Sequence, residues 1–524
     1  MVQQRSWRSG ITAAVFVLFV SACAGTPVTT DVVERQFPIG EAEEIFSAGF
    51  GNIADKYIDA LSVEDIAMEG IRGLSALDPD ISIQKNAGTL EMRHRRRLVS
   101  RLPLPRADDP AGWALAAARI AAEAQVTSPE LFDTEPEMFY EAVFDGSMGA
   151  LDLFSRYAGK AEATDNRAKR DGFGGIGIRF HLEEDRIVIS KVLPSTPADK
   201  VGIQTGDELT SVGGQPMLGL GTQSIVEMLR GPVGSVVDIV VARPDTGILS
   251  FRLKRNHIVP PTVQARVHNG ILHLKISSFN QGTASSLTEN LRHILDQKNE
   301  THHDVKGIVL DLRGNPGGLL KQSIEVADAF LVHGEILNTR GRHPDSVQHY
   351  EASGQDQALG LPMVVLIDGK SASAAEIVAA ALQDRERAVV VGTASYGKGT
   401  VQTVIRLPNS GEITLTWSRF MAPSGYALNG LGVYPVVCTS GSGSIGGETL
   451  RKTLANHDKT LGILEEWRAT THMDDAAFSN LRKQCPPERH TSKYDVEVAR
   501  ALIEDGALYF RALDLTSATA HAID

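Results

Sequence analysis

Between residues 40 and 160, apolar side chains recur every three to four positions in four stretches, 41–57, 63–77, 112–124 and 136–154. That is the period of helices that bury one face. Residues 81–102 interrupt them with a β-like pattern, in which Asn86-Ala87-Gly88 supplies a turn. Short apolar runs at 175–180, 187–192, 208–212, 236–242 and 249–255 then predict strands, with one helix over 223–229. From residue 259 the pattern changes again. Strands at 271–279, 307–312, 363–368 and 388–392 alternate with helices at 284–297, 319–332 and 374–383, the succession of a sheet with helices packed on it. The glycine-rich stretch 441–447 breaks this alternation, and weaker helical patterns follow at 450–463 and 496–513. The expectation is a multidomain α+β chain: a mainly helical region over 41–160, a β-domain over 165–257, an α/β core over 258–440 and a helical C-terminal extension over 441–524.

The first residues do not belong to this plan. Arg5 and Arg8 precede an apolar run over 11–20 that is too short to span a bilayer and has the form of a secretory signal. Val20-Ser21-Ala22-Cys23 resembles the lipobox of bacterial lipoproteins, which implies removal of residues 1–22, a lipid on Cys23 and a tether over 23–40. A lipid-anchored periplasmic protein is the expectation, on the outer membrane if the source is Gram-negative, because Ala24 and not aspartate follows the cysteine. With Cys23 lipidated, Cys438 and Cys485 remain as an even pair in an oxidising compartment, and a disulfide between them is expected. Composition adds little: 42% hydrophobic and 22% charged residues are ordinary for a globular chain. The net charge of −12 argues against nucleic acid as a partner. The run Arg93-His94-Arg95-Arg96-Arg97 reads as a solvated basic segment and a weak candidate for contact with anionic surfaces.

Candidate chemistry gathers in the α/β part. In Lys370-Ser371-Ala372-Ser373-Ala374-Ala375-Glu376-Ile377, small residues give way to the helical pattern at Ser373, which places its hydroxyl at a helix N-terminus facing free N–H groups. Tyr396-Gly397-Lys398-Gly399 follows, with its lysine 398 − 373 = 25 residues on. A lysine can take a serine's proton only if burial lowers its pKa by several units from about 10.4. If residues 398–402 are extended, Lys398 and Gln402 share a face and the Gln402 amide oxygen orients the amine. Read alone, Ser373 is an N-cap and Lys398 a loop tip.

The order of further segments changes that balance. Leu151-Asp152-Leu153-Phe154-Ser155-Arg156-Tyr157, Gly172-Phe173-Gly174-Gly175-Ile176-Gly177-Ile178, Ser277-Ser278-Phe279, Asp311-Leu312-Arg313-Gly314-Asn315-Pro316-Gly317-Gly318 and the two segments above resemble the carboxyl-terminal processing proteases, the tail-specific S41 peptidases with a PDZ domain. The likeness runs from about residue 151 to 437; Leu153 and Ala375 stand where the family often has proline and serine. It implies a core of the ClpP/crotonase-like type with Ser373 as nucleophile, Lys398 as general base and Gln402 as the residue that orients the lysine. Backbone N–H groups of Ala374 and of Gly317 or Gly318 would hold the oxyanion. It also implies that 165–257 is a PDZ domain, further marked by residues 195–199 and 206–209. There Phe173, Gly174, Gly175, Ile176 and Gly177 would offer N–H groups to a peptide's terminal carboxylate, and Ile178 and Leu229 would flank its side chain. The N-terminal helices would serve dimerisation or a cap, and the sequence leaves the homodimer, any adaptor and the substrate open.

Two nucleotide-binding patterns fail on context. Residues 392–398 approach a P-loop, but Gly399 stands where Ser or Thr must hold magnesium. Residues 172–177 fit GxGxxG yet lead into a strand and not a helix. His302-His303 has no partner at ligand spacing, so neither metal nor organic cofactor is expected. The reading is a serine endopeptidase that works through an acyl-enzyme near protein C-termini. The alternative is a tethered PDZ scaffold whose peptidase core has become structural.

Overall fold

The computed structural model describes residues 37–296, 305–441, 450–451, 456–470 and 475–517. Cys23 and the signal segment, His302-His303 and most of 441–447 lie outside the described residues. Three apolar clusters organise the chain. In the first, helices Ile39–Lys56, Val63–Arg72, Pro110–Thr127 and Pro136–Gly149 pack together. A three-stranded meander, Ile81–Asn86, Thr89–His94 and Arg97–Pro103, lies between the second and third of these helices. The fourth helix is shorter than the periodicity suggests. It stops at Gly149, and the Asp152 side chain then accepts the N–H groups of Phe154 and Ser155, a local turn that competes with helix.

The second cluster lies in a sheet whose strands run in the order Gly247–Lys254, Val236–Arg243, Glu208–Val212, Arg186–Val192, Ile178–Glu183. The strand expected over 175–180 is two strands. Phe173–Gly175 pairs with Asn256–Ile258, Gly177 turns the chain at φ 87°, and Ile178–Glu183 begins afresh as the edge of the larger sheet.

The third cluster contains the site. Its sheet runs Val263–His268, Ile271–Ile276, Gly307–Asp311, Met363–Ile367, Val389–Gly392, Val437–Cys438, parallel after the first antiparallel pair. All five residues of Met363–Ile367 are buried, as in a central parallel strand covered on both faces. Helix Ala374–Asp384 is buried from Ala374 to Gln383, which its alanines permit. A second sheet stands beside it in the order Gln348–Glu351, Glu335–Gly341, Glu412–Met421, Thr400–Arg406, with Arg156–Ala158 pairing on Glu412–Met421. Its hairpin reaches into the N-terminal cluster through Leu407, Ile413 and Leu415. No helix of the described residues is long and apolar enough to cross a membrane.

The C-terminal extension forms helices His457–Ala469, Asp475–Arg482, Lys493–Glu504 and Gly506–Ser517. The helix expected over 496–513 is broken at Asp505, whose carboxylate accepts the N–H groups of Ala507 and Leu508. Cys438 and Cys485 are joined by a disulfide that ties this extension to the last core strand.

Candidate active site

Three loops at the ends of parallel strands converge: 311–318 after Gly307–Asp311, 368–373 after Met363–Ile367, and 393–399 after Val389–Gly392. Asp368 ties the first two. Its Oδ1 accepts the N–H groups of Gly314 (3.0 Å), Lys370 (2.9 Å) and Ser371 (3.0 Å). The Ser371 hydroxyl donates to Leu312 O at 2.9 Å, and Ala372 N–H to Asn315 O at 2.9 Å.

Ser373 sits at the apex of the second loop with φ 55° and ψ −115°, a conformation costly for a residue with a Cβ. It is fixed by Glu376, one turn into the helix and fully buried. Glu376 Oε2 accepts the N–H groups of Ser373 (2.7 Å) and Lys398 (2.9 Å), while Oε1 accepts Gly397 N–H (2.6 Å) and the Ser395 hydroxyl (2.5 Å). One carboxylate thus fastens the serine turn to the lysine loop. Burial raises its pKa, and those four donors act against the rise.

Lys398 is half-buried and lies just ahead of the strand Thr400–Arg406. Its amine stands 4.9 Å from the centroid of the Phe154 ring. Burial holds that amine below the ordinary lysine value; Arg156 adds to the depression, while Glu376 and Asp152 oppose it. The expected bond from Gln402 is not formed. The ladder slips between Val401 and Gln402, which undoes the simple two-residue alternation that put 398 and 402 on one face. Gln402 Nε2 instead donates to the Thr400 (2.8 Å) and Thr416 (3.2 Å) hydroxyls, so its amide oxygen is the end left for an amine. Among the described residues Lys398 Nζ has no hydrogen bond to Ser373 or Gln402.

The glycine pair separates into two roles. Gly317 N–H donates to Asn315 Oδ1 at 2.8 Å and is therefore spent, which corrects the expectation that it could serve an oxyanion; Asn315 is itself held through Nδ2 on Ile276 O at 2.9 Å. Its place against the serine is close: a Cβ on Gly317 would lie 2.9 Å from Ser373 Cβ and 3.0 Å from Ala374 N. Gly318, at φ 147°, leaves no room for a Cβ either, which would stand 2.1 Å from Phe279 O. Among the described residues the N–H groups of Gly318 and Ala374 have no hydrogen-bond partner.

Ser373, Ala374, Gly317, Gly318, Lys398 and Gln402 all line one open cleft of ≈ 560 Å³, with Ile377, Val401, Val404 and Phe420 as apolar wall. Arg156 and Arg170 line it too, Arg170 paired with the buried Glu412 at 3.2 Å. Outside the cleft lining, Asp78, His94 and Glu130 bring ligand-type atoms within 4.8 Å of one another, but Arg95 pairs with Glu130 at 3.7 Å and competes for that carboxylate.

In the β-domain Phe173–Gly175 pairs as a strand with Asn256–Ile258, and Gly174 faces the other way with its O accepting Gly231 N–H at 3.0 Å, so the expected row of five open donors is interrupted. The N–H groups of Ile176 and Gly177 remain without partners among the described residues. Leu229 is part of the same apolar cluster against which Ile178 and Phe180 pack. Arg230, next along, stands 4.5 Å from the centroid of the Phe173 ring and pairs with Asp165 at 2.8 Å.

Glu376, Asn315, Asp368 and Phe154 carry positioning work that residue type alone did not announce. For Glu376 there was a signal: Ser373-x-x-Glu376 has the spacing of a capping box.

Comparison with known proteins agrees with this geometry. A model of peptidase family S41 matches residues 270–437, and a PDZ domain model matches residues 188–243. The carboxy-terminal-processing protease of Bartonella bacilliformis is 36% identical over 335 residues, covering 63% of this chain and 75% of that protein. The carboxy-terminal processing protease CtpB of Bacillus subtilis is 32% identical over 309 residues, covering 57% of this chain and 63% of that protein. An S41 serine peptidase core joined to a PDZ domain is thus what fold and cleft define. The chain belongs to the carboxy-terminal processing proteases of that family.

Proposed function

We propose that this chain is an exported, lipid-anchored endopeptidase that cuts proteins near their C-termini, with Ser373 as nucleophile and Lys398 as general base. The observation that carries the reading is one cleft holding Ser373, Lys398 and two unspent N–H groups, those of Gly318 and Ala374, with serine and lysine backbones fastened to the same carboxylate.

As Ser373 Oγ attacks the scissile carbonyl carbon, its proton passes to the neutral Lys398 amine. The carbonyl oxygen becomes an oxyanion that accepts from Gly318 and Ala374 N–H. Lys398 then gives the proton to the leaving amine, the C–N bond breaks, and an ester to Ser373 remains. Water, deprotonated by Lys398, attacks that ester and releases the new C-terminus. For this the amine must leave the Phe154 face and turn toward Ser373, and the Gln402 amide oxygen is the acceptor that would steer it. Depression of the lysine pKa by burial supplies the neutral form that the first step needs.

The PDZ domain would recruit the substrate by its free terminus. A peptide strand adding to the edge Ile178–Glu183 would bring its carboxylate to the Ile176 and Gly177 N–H groups. The lipid on Cys23 would hold the enzyme to the membrane on its periplasmic side.

Two measurements test this. Ser373→Ala and Lys398→Ala should each abolish cleavage of a peptide substrate with the fold intact, because a catalytic pair fails as a unit; near-native turnover in Lys398→Ala would refute the mechanism. Cys23→Ser should move the protein from the membrane to the soluble fraction, and unchanged partition would refute the anchor.

A further inference from the structure

The C-terminal extension lies beyond the S41 match and carries no chemical motif, yet it grips each of the three loops that form the cleft. From helix Asp475–Arg482, Arg482 Nη2 donates to Ser395 O at 3.0 Å and Nη1 to Leu431 O at 2.5 Å. Ser395 is the residue whose hydroxyl donates to Glu376. The fit is tight: a Cβ on Gly397 would come within 3.3 Å of Arg482 Nη1, and one on Gly432 within 3.2 Å. Beyond the bridged Cys485, Glu488 O accepts Gly369 N–H at 2.7 Å and Glu488 N–H donates to the Thr393 hydroxyl at 3.1 Å, which binds the loop before Ser373 to the start of the lysine loop. Asp495 completes the set. Its Oδ2 accepts from Arg313 Nη1 at 2.9 Å, and Arg313 stands in the loop that ends in Gly317-Gly318.

We infer that the C-terminal extension is a positioning device for catalysis, in which Arg482 sets the lysine loop and, through Ser395 and Glu376, the placement of Lys398 against Ser373. This rests on the Ser-Lys mechanism proposed above. The reason is physical. Ala394 and Leu431 seat these loops in the core, and the carbonyls of Ser395 and Leu431 then point to one half-buried guanidinium, a planar donor that spans two acceptors at fixed spacing and so fixes how the loops lie against each other. Burial lowers the Arg482 pKa, and the nearby Glu376 acts against that fall. The disulfide to Cys438 holds the helix that presents Arg482 against the core. A tail that served only stability would alter melting and leave turnover per folded molecule unchanged.

The experiment is steady-state kinetics on the full mature chain carrying Arg482→Ala or Arg482→Lys. We expect kcat to fall about 10- to 100-fold, the scale of a displacement near 1 Å at a catalytic group, with KM little changed. The acid limb of kcat/KM should move to higher pH, because a loosened loop lets water reach Lys398, whose charged neighbours are Arg156, Glu376 and Asp152. Millimolar guanidinium ion should restore part of kcat to Arg482→Ala and none to Lys398→Ala. Ser373→Ala and Lys398→Ala run alongside: activity in either means the mechanism itself has failed. If both are dead while folded Arg482→Ala keeps wild-type kcat and acid limb, the inference is overturned. Should Arg482→Ala not fold, the double variant Cys438→Ser, Cys485→Ser, which frees the same helix, is read by the same two quantities, and unchanged values in it overturn the inference equally.

Discussion

The amine of Lys398 rests over the ring of Phe154, 4.9 Å from its centroid, and that ring stands in the segment Asp152 to Arg156 that feeds the strand Arg156–Ala158 beside the cleft. Phe154 is therefore apolar cover on one side of the base. Truncation to Phe154→Ala removes both the ring's attraction for a cation and the apolar cover, and burial is the larger influence on this lysine. The lysine pKa should rise toward its ordinary value. The acid limb of kcat/KM then moves to higher pH and activity at neutral pH falls; a pH–rate profile that overlays the wild type would show that the ring has no such role.

The depressed lysine also costs stability, and the sign follows from proton counts. With its pKa lower in the folded than in the unfolded chain, Lys398 binds fewer protons when folded at every pH between the two values, so stability rises with pH across that window. Lys398→Met keeps volume and removes the charge. It should be inactive yet melt at or above the wild-type temperature near neutral pH; a clear drop in melting temperature would contradict the account of the amine as a buried burden.

Glu376→Ala leaves three backbone N–H groups and the Ser395 hydroxyl without their acceptor. Each buried orphan costs roughly 1–3 kcal/mol, and the turn that holds Ser373 at φ 55° loses its brace. Both melting temperature and kcat should drop sharply. Glu376→Gln should recover little, because an amide presents a donor at one of two oxygens that both accept. Differential scanning calorimetry with kinetics on the soluble fraction distinguishes this from a catalytic effect alone.

Gly318 and Gly317 should respond differently at the level of chemistry. Gly318→Ala forces a Cβ to 2.1 Å from Phe279 O and displaces an N–H that the oxyanion needs, and loss of one such donor is worth about 10²–10³ in kcat. Asn315→Ala frees Gly317 N–H without touching Gly318. Its effect should be the smaller of the two, and the reverse ranking would assign the oxyanion to Gly317.

For the PDZ domain the variable is charge at the end of the substrate. Amidation removes the carboxylate that the Ile176 and Gly177 N–H groups suit, so an amidated protein substrate should be cut more slowly than its free acid. A short unstructured peptide should show a smaller difference, since capture and not acyl transfer is affected. Equal rates for both forms of an authentic substrate would exclude terminal recognition.

Periodicity and residue type carried the sequence reading a long way. The five-residue apolar run Met363–Ile367 is the length of a strand and too short for a helix, and the alanines after Ser373 suit a helix, so strand, turn and helix around the serine were legible locally. Gly172–Gly177 announced a turn into a strand, and the cysteine count left Cys438 and Cys485 to pair. Other elements left no local trace. The second sheet, which brings Glu335–Gly341 beside Glu412–Met421, owes its pairing to residues far apart in sequence, and its ladder slip at Val401 to Gln402 defeated the alternation argument for Gln402.

Sequence by itself determined the chemical inventory: a serine at a helix start, a lysine between glycines and a glycine pair after a strand, because residue type and short-range spacing fix which groups exist and which local conformations they permit. Tertiary structure decided which of those groups are free to act. Asn315 takes the N–H of Gly317 and leaves that of Gly318; Glu376 joins loops 25 residues apart at Ser373 and Lys398; Phe154 lies over the base; and Arg482 and Asp495 reach back from the C-terminal helices to hold the loops. The reason is that a hydrogen bond or a desolvated charge depends on what lies within a few ångströms, and in a folded chain those neighbours are chosen by packing between distant segments.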